Sequence, residues 1–162
     1  MRLYIMVGNI GSGKSTLVKK LLAKNPNIVV IARDALRYMI GGGDYVFNPK
    51  LEPTIFNTAE QAIEQFMLLG VDILVDETNM SSAHRKEYLT LARRYGYEAV
   101  AIVMPVLDKK TSVDRRMQNP HGQDDRALWE GVWDKFTAIY ERPTEEEGFS
   151  QVSEVWEFNN AK

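Results

Sequence analysis

Eight consecutive residues near the amino terminus carry the clearest chemistry in this chain. Residues 8–15, Gly-Asn-Ile-Gly-Ser-Gly-Lys-Ser, match the pattern G-x-x-x-x-G-K-[ST], which cradles nucleotide phosphates. The glycines bring backbone N–H groups against phosphate oxygens, and the following helix points its positive end at them. Lys14 can reach the β- and γ-phosphates, and the Ser15 hydroxyl can bind the Mg²⁺ that bridges them. The predicted nucleotide-binding residues of this loop are Gly8, Asn9, Ile10, Gly11, Ser12, Gly13, Lys14, Ser15 and Thr16.

A second candidate group follows the next apolar segment. Asp34 and Arg37 stand three residues apart at the start of a predicted helix, so their side chains share one face. A carboxylate there can orient an attacking hydroxyl and take its proton, and an arginine beside it can bind a phosphate. Taken alone, the two residues are equally consistent with a helix cap and a surface arginine.

Two acids, Asp76 and Glu77, follow the third apolar segment. A carboxylate at the end of a strand beside the phosphate-binding loop can hold Mg²⁺ directly or through water. The predicted metal-binding residues are therefore Ser15, Asp76 and Glu77, and the sequence does not decide between the two acids. A hydrogen bond to a turn is the other interpretation of Asp76.

Arg115 and Arg116 precede a polar segment, residues 118–123, that lies between two predicted helices. We expect residues 108–126 to form a lid over the triphosphate, in which both arginines contact the nucleotide. Arg116 would then neutralise charge that develops on the transferred phosphoryl group. A solvated helix end is the other interpretation of this pair.

These groups need a scaffold that brings them together, and the rest of the chain predicts one. Apolar strands alternate with amphipathic helices over short connections, which is typical of an α/β fold with a parallel sheet covered on both faces. We predict strands at residues 3–7, 28–32, 73–76, 99–104 and 152–158, and helices at 16–23, 34–40, 52–70, 81–95, 108–117 and 124–140. Ligands of such sheets bind outside the carboxyl ends of the strands, so the candidate groups should meet in one cleft.

Composition limits the class of protein. The 162 residues predict a single domain over 1–162, and the absence of cysteine excludes a disulfide framework and a thiolate metal site. Without a membrane-length apolar run or a signal peptide, we expect a cytoplasmic protein with no membrane partner. A net charge of −2 argues against coating nucleic acid by charge alone. We place the basic residues of the helix at 81–95 on a solvated face: Arg85, Lys86, Arg93 and Arg94.

Three segments together resemble the P-loop kinase module of phage-type polynucleotide 5′-hydroxyl kinases. They are Ile31-Ala32-Arg33-Asp34-Ala35-Leu36-Arg37, Asp76-Glu77-Thr78-Asn79-Met80, and the stretch from Tyr140-Glu141-Arg142-Pro143-Thr144 to Gly148-Phe149. The resemblance spans nearly the whole chain. It implies a five-stranded P-loop kinase fold, ATP as the phosphate donor and a 5′-hydroxyl end of DNA or RNA as the acceptor.

The resemblance also implies roles for individual residues. Asp34 matches the family's general base and Arg37 the residue that engages the acceptor phosphate. The predicted catalytic residues are Asp34, Lys14, Arg37 and Arg116. The predicted acceptor-binding residues are Arg33, Asp34, Arg37, Tyr38 and Asn79.

The chain departs from the family pattern at three places. Glu77 stands where the family has an aspartate before Thr-Asn, and the lid lacks an arginine at the second family position. The segment after the Asp34 helix is not basic, but its aromatic residues Tyr38, Tyr45 and Phe47 could stack a base, with core packing favoured for Phe47. The alternatives are a kinase for a nucleoside, nucleotide or other small metabolite, and a nucleotide-binding protein with degenerate catalysis. A GTPase-like switch is disfavoured because the chain has no N-K-x-D or D-x-x-G run.

Overall fold

The computed structural model describes residues 1–118 and 125–155. In these ranges five parallel strands form one sheet: β1 (Arg2–Val7), β2 (Val29–Ile31), β3 (Ile73–Val75), β4 (Glu98–Val103) and β5 (Gln151–Glu154). Their order across the sheet is β2-β3-β1-β4-β5, which confirms the predicted five-stranded parallel sheet. Since β1 pairs with both β3 and β4, the loop that follows β1 lies at the middle of the sheet edge. Residues 156–158 of the predicted last strand lie outside the described residues.

Six helices connect and cover these strands in the described ranges: α1 (Lys14–Lys24), α2 (Arg33–Ile40), α3 (Glu52–Leu68), α4 (Ser82–Tyr95), α5 (Lys109–Met117) and α6 (Arg126–Ala138). α1 begins two residues before its predicted start because Gly13, with φ 97°, ends the loop immediately before Lys14. α6 begins at Arg126, and Asp125 caps it by accepting a hydrogen bond from the Ala127 N–H. Asp124, the predicted first residue of this helix, lies outside the described residues. Over the described part of the chain, no helix combines the length and apolarity that crossing a bilayer requires.

Strand β1 is buried on both sides, which fixes the loop at its end. Leu3, Ile5 and Val7 pack into a cluster with residues of α3 and α4, such as Ile63 and Tyr88. The alternate residues face the other layer, where Met6 packs with Leu17 and Val18 of α1. Successive side chains of a strand point to opposite faces, so one strand serves both layers. The phosphate-binding loop therefore follows a strand that packs against both layers of helices.

Arg85 of α4 is completely buried, so the prediction of a solvated face was wrong for this residue. Its Nε and Nη2 donate to the Glu147 carboxylate at 2.8 and 2.6 Å. Its Nη1 donates to the carbonyls of Asn79 and Glu141, both at 3.0 Å. A guanidinium tolerates such burial only when carboxylate and carbonyl oxygens replace water. The other three basic residues of the predicted solvated face are exposed: Lys86, Arg93 and Arg94.

Candidate active site

The phosphate-binding loop is wedged between neighbouring elements. A Cβ on Gly11, where φ is 65°, would lie 2.1 Å from the Ser112 carbonyl oxygen of α5. A Cβ on Gly8 would lie 2.7 Å from the Met104 Cβ at the end of β4. The Gly8 N–H also donates to the Thr78 carbonyl at 2.9 Å. The glycines of the pattern thus let α5 and the end of β4 pack directly against the loop backbone.

Lys14 lies within the loop that it is predicted to serve. Its Nζ donates to the carbonyls of Gly8 at 2.8 Å and Asn9 at 2.9 Å. Burial lowers the pKa of Lys14 to about 8, although the carboxylates of Asp76 and Asp34 favour the charged form. The ammonium group is therefore held by neutral carbonyl oxygens, which an incoming phosphate can replace with stronger, charged acceptors.

Asp76 and Ser15 meet beside the loop. The Ser15 Oγ donates to the Asp76 Oδ2 at 3.3 Å, and the Asp76 N–H donates to the Ile31 carbonyl at 2.9 Å. Burial raises the pKa of Asp76, while the charge of Lys14 and the Ser15 hydrogen bond oppose that rise. The two oxygens fit the preference of Mg²⁺ for hard oxygen ligands. Among residues 1–118 and 125–155 there is no group of three or more His, Cys, Asp or Glu for a metal, so phosphate oxygens would have to complete the coordination.

Glu77 is engaged by a different partner. Its Oε1 accepts from the Arg33 Nε at 2.6 Å, its Oε2 pairs with the Arg33 Nη2, and only 8% of the residue is exposed. Asn79, which is 2% exposed, donates from its Nδ2 to the Met6 carbonyl of β1 at 2.9 Å. The geometry therefore gives Asp76, and not Glu77, the position beside Ser15. Within the protein, the predicted acceptor residues Arg33 and Asn79 bond to Glu77 and to β1.

Asp34 and Arg37 lie together at the start of α2, as their spacing predicts. The Asp34 Oδ1 accepts from the Arg37 Nη1 at 2.6 Å and from the Tyr45 hydroxyl at 3.3 Å. Arg37 also donates from Nε and Nη2 to both oxygens of Glu52, at 3.0 and 2.5 Å. Sequence reasoning missed Glu52, whose local signal is a carboxylate in the first turn of a helix, a common feature of helix starts. The pairing depends on α3 packing beside α2.

Aromatic rings surround the Arg37 guanidinium. Its Cζ lies 5.7 Å from the ring centroid of Phe47 and 6.0 Å from that of Tyr45. Tyr38 and Tyr45 form an edge-to-face pair with centroids 5.4 Å apart. Phe47 is 62% exposed, so the prediction of core packing was wrong. The reason is that the segment after α2 follows the surface, where the ring packs on a cation and not on the core.

Helix α5 covers residues 109–117 of the predicted lid, and α6 begins at Arg126, the last residue of that lid. The Arg116 Cζ lies 4.1 Å from the Trp129 ring centroid of α6, while Arg115 is exposed. The positive charge of Arg116 contributes to the lowered pKa of Lys14, after the larger effect of burial. Arg116 and the phosphate-binding loop are thus close enough to interact. Residues 119–124 of the predicted lid lie outside the described residues.

Comparisons with known proteins agree with this arrangement. Human NEDD4-binding protein 2 is 29% identical over 102 residues, which is 60% of this chain and 6% of that protein. In the Pnkp1/Rnl/Hen1 RNA repair complex, a chain matches with a TM-score of 0.69 at 21% identity, over 85% of this chain and 44% of that one. The protein thus spans less than half the length of either.

Two further solved structures match over most of their length. Kti12 from Chaetomium thermophilum, in complex with ADP-AlF3, has a TM-score of 0.67 at 18% identity, over 94% of this chain and 88% of that one. A fungal RNA kinase has a TM-score of 0.64 at 18% identity, over 94% of this chain and 74% of that one. These likenesses show a P-loop kinase fold. The family model for AAA_33, described as an AAA domain, matches residues 3–143, and this chain therefore belongs to the AAA_33 family.

Proposed function

We propose that this protein is an ATP-dependent kinase that transfers the γ-phosphate of ATP to a 5′-hydroxyl end of a polynucleotide, with Asp34 as the general base. The observation that carries the proposal is electrostatic. Burial lowers the pKa of Lys14 and raises that of Asp76, and the charge of Asp34 acts on both groups, opposing the first shift and adding to the second, so the three groups lie within range of one another. The parallel strands β1, β2 and β3 also end at the same edge of the sheet, which brings the acid offered to the acceptor near the site offered to the donor.

The donor half of the site consists of the loop, Lys14 and the lid. Backbone N–H groups of the loop would bind the phosphates, and Lys14 would exchange the carbonyls of the loop for phosphate oxygens. Arg116 would neutralise charge on the transferred phosphoryl group, and Arg115 would contact the nucleotide at the exposed side.

The metal site of this proposal consists of Ser15 and Asp76. Their side-chain oxygens are hydrogen-bonded to each other at 3.3 Å, which suits an arrangement that a divalent cation would share with phosphate. When bound, Mg²⁺ would offset the negative charge of the phosphates. Glu77 would act differently, because its carboxylate fixes Arg33 at the side of the acceptor cleft.

The acceptor half consists of α2 and the segment after it. Asp34 would take the proton of the attacking hydroxyl, and Arg37 would bind the phosphate that follows it in the strand. Tyr38, Tyr45 and Phe47 would provide ring faces for a base. The names of two structural neighbours, an RNA repair complex and an RNA kinase, support a nucleic-acid acceptor.

One observation favours a second candidate, a kinase for a nucleoside or another small hydroxyl compound. Arg33 and Arg37 are each paired with a carboxylate, Glu77 and Glu52 respectively. These pairs leave the described cleft with little uncompensated positive charge for a polyanion. A small acceptor with few phosphates needs less positive charge in the cleft than a polynucleotide does.

A transfer assay with labelled ATP tests the proposal directly. Wild-type protein would be incubated with 5′-hydroxyl RNA and DNA oligonucleotides and with free nucleosides. Asp34→Ala should lower transfer by roughly 100-fold or more, the usual contribution of a general base, and leave the Kd for Mg-ATP within about twofold. Glu87→Ala, an exposed acid on α4, is the matched control and should have wild-type activity.

Turnover by Asp34→Ala at the wild-type rate would end the assignment of the base. Transfer to nucleosides but not to oligonucleotides would replace the polynucleotide acceptor with the second candidate.

A further inference from the structure

Asn9, the second residue of the phosphate-binding loop, ties that loop to helix α6. Its Nδ2 donates to the Trp133 carbonyl and to the Thr137 Oγ1, both at 3.0 Å. Its Oδ1 accepts from the Ile10 N–H at 2.7 Å. The G-x-x-x-x-G-K-[ST] pattern leaves this position open, so phosphate binding does not require an asparagine here. Both ends of this amide are nevertheless used, one within the loop and one on α6.

The same face of α6 carries the ring that holds the lid arginine. Trp129, Trp133 and Thr137 follow one another at four-residue intervals, so their side chains lie along one side of the helix. The first of them packs on Arg116, with 4.1 Å from the Cζ to the ring centroid. The last accepts from Asn9. One helix face thus runs from the phosphate-binding loop to the guanidinium that would act on the transferred group.

Apart from its bonds to Asn9, helix α6 is held by contacts with α5, which include an ion pair between Arg126 and Asp114. Every residue in Arg126–Ala138 is at least partly exposed, so none contributes a fully buried side chain to the core. Lys109 of α5 pairs with Asp134 at 2.7 Å and lies 5.5 Å from the Trp133 ring centroid. These contacts brace α6 against α5. By contrast, the Asn9 hydrogen bonds join α6 to the loop itself.

We propose that the hydrogen bonds from Asn9 to α6 set the position of Arg116 relative to the phosphate-binding loop. Asn9 and Thr137 are then positioning residues, which act on phosphoryl transfer through Arg116. The loop and Arg116 are held in one arrangement, because the same helix face contacts both. The part of this inference that concerns transfer rests on the proposed function, whereas the coupling of the loop to α6 does not.

Substitutions at Thr137 test the coupling without altering the loop. Thr137→Val removes one hydrogen bond from Asn9, and Thr137→Ser retains it. Thr90→Val is the matched control, because the Thr90 hydroxyl donates only within α4, to the Lys86 carbonyl. We expect Thr137→Val to lower kcat about two- to tenfold, the range for one hydrogen bond, with an unchanged Kd for Mg-ATP. Thr137→Ser and Thr90→Val should retain wild-type kcat.

A double-mutant cycle shows whether the effect passes through Arg116. In an Arg116→Ala background, Thr137→Val should cause no additional loss of kcat. The inference is overturned if Thr137→Val turns over like the wild type, if Thr137→Ser is equally slow, or if the loss persists in the Arg116→Ala background.

Hydrogen exchange of the α6 amides in the free protein separates this inference from the proposed function. Thr137→Val should speed exchange across residues 126–138, and Thr90→Val should not. Equal exchange in wild type and Thr137→Val would overturn the coupling whatever the acceptor assays show. If exchange rises as expected but the wild type phosphorylates no acceptor, the coupling stands and the proposed function fails.

Discussion

The lowered pKa of Lys14 makes ATP binding dependent on pH in a predictable direction. Burial brings this pKa down to about 8 in the free protein, so a large fraction of Lys14 loses its proton as the pH rises to about 9. Bound phosphates favour the charged ammonium and keep it protonated in the complex. If only the charged form binds well, the Kd for Mg-ATP should increase about tenfold between about pH 7 and about pH 9.

Calorimetry measures the number of protons taken up on nucleotide binding as well as the affinity. At about pH 8.5, roughly three quarters of Lys14 is uncharged for a pKa of about 8, so binding should take up about 0.8 proton per nucleotide. Titration in two buffers with different ionisation enthalpies gives that number directly. Above about pH 8 the phosphates of ATP are fully ionised and contribute little, since the second phosphate pKa is about 6.

Lys14→Arg is the control, because a guanidinium stays charged throughout this range. Its Kd should not vary with pH, whatever its absolute value. A wild-type Kd that stays constant from about pH 7 to about pH 9, with no proton uptake, would refute the reasoning that Lys14 is the buried cation of the donor site.

Two further substitutions test contacts that the structure revealed. Glu52→Gln removes the negative charge opposite Arg37, so the KM for a phosphate-bearing acceptor should fall roughly threefold or more. The KM for a nucleoside should stay constant. If the KM rises for both acceptors, Glu52 is instead an orienting partner of Arg37. Glu147→Gln leaves the buried Arg85 without its carboxylate and should lower the free energy of unfolding by about 3 kcal/mol, measured by urea denaturation. Glu98→Gln is the control, because Glu98 pairs with Arg2 at the exposed surface, and it should change the free energy of unfolding by less than about 0.5 kcal/mol. Equal effects of the two substitutions would contradict the burial argument.

The order of strands and helices could be predicted from the sequence because it depends on the local periodicity of apolar residues. The strand before the loop has its apolar residues on both faces, and β1 is indeed buried from both layers. Helix ends were less certain, because the last turns depend on single hydrogen bonds. α1 begins earlier than predicted, directly after Gly13, whose backbone conformation no periodicity shows.

Predictions for exposed and buried polar residues failed where a distant partner decided the outcome. Arg85 is a charged residue beside other charged residues, which is typical of a surface position, but Glu147, 62 positions away, makes its burial possible. Phe47 was expected in the core and instead packs on Arg37 at the surface. The only local signal of Glu52 is its place in the first turn of a helix, which does not reveal its contact with Arg37 on a neighbouring helix.

The sequence by itself determined the phosphate-binding loop, the parallel sheet and the position of Asp34 and Arg37 on one face of their helix. Each of these follows from spacings of a few residues, through glycine conformations, strand alternation and the helical turn. Only the tertiary structure decided that Asp76 lies beside Ser15 while Glu77 pairs with Arg33, and that Asn9 bonds to a helix 128 positions further along. Asp76 and Glu77 are adjacent carboxylates that follow β3, and only the packing of the surrounding elements decides which partner each one reaches.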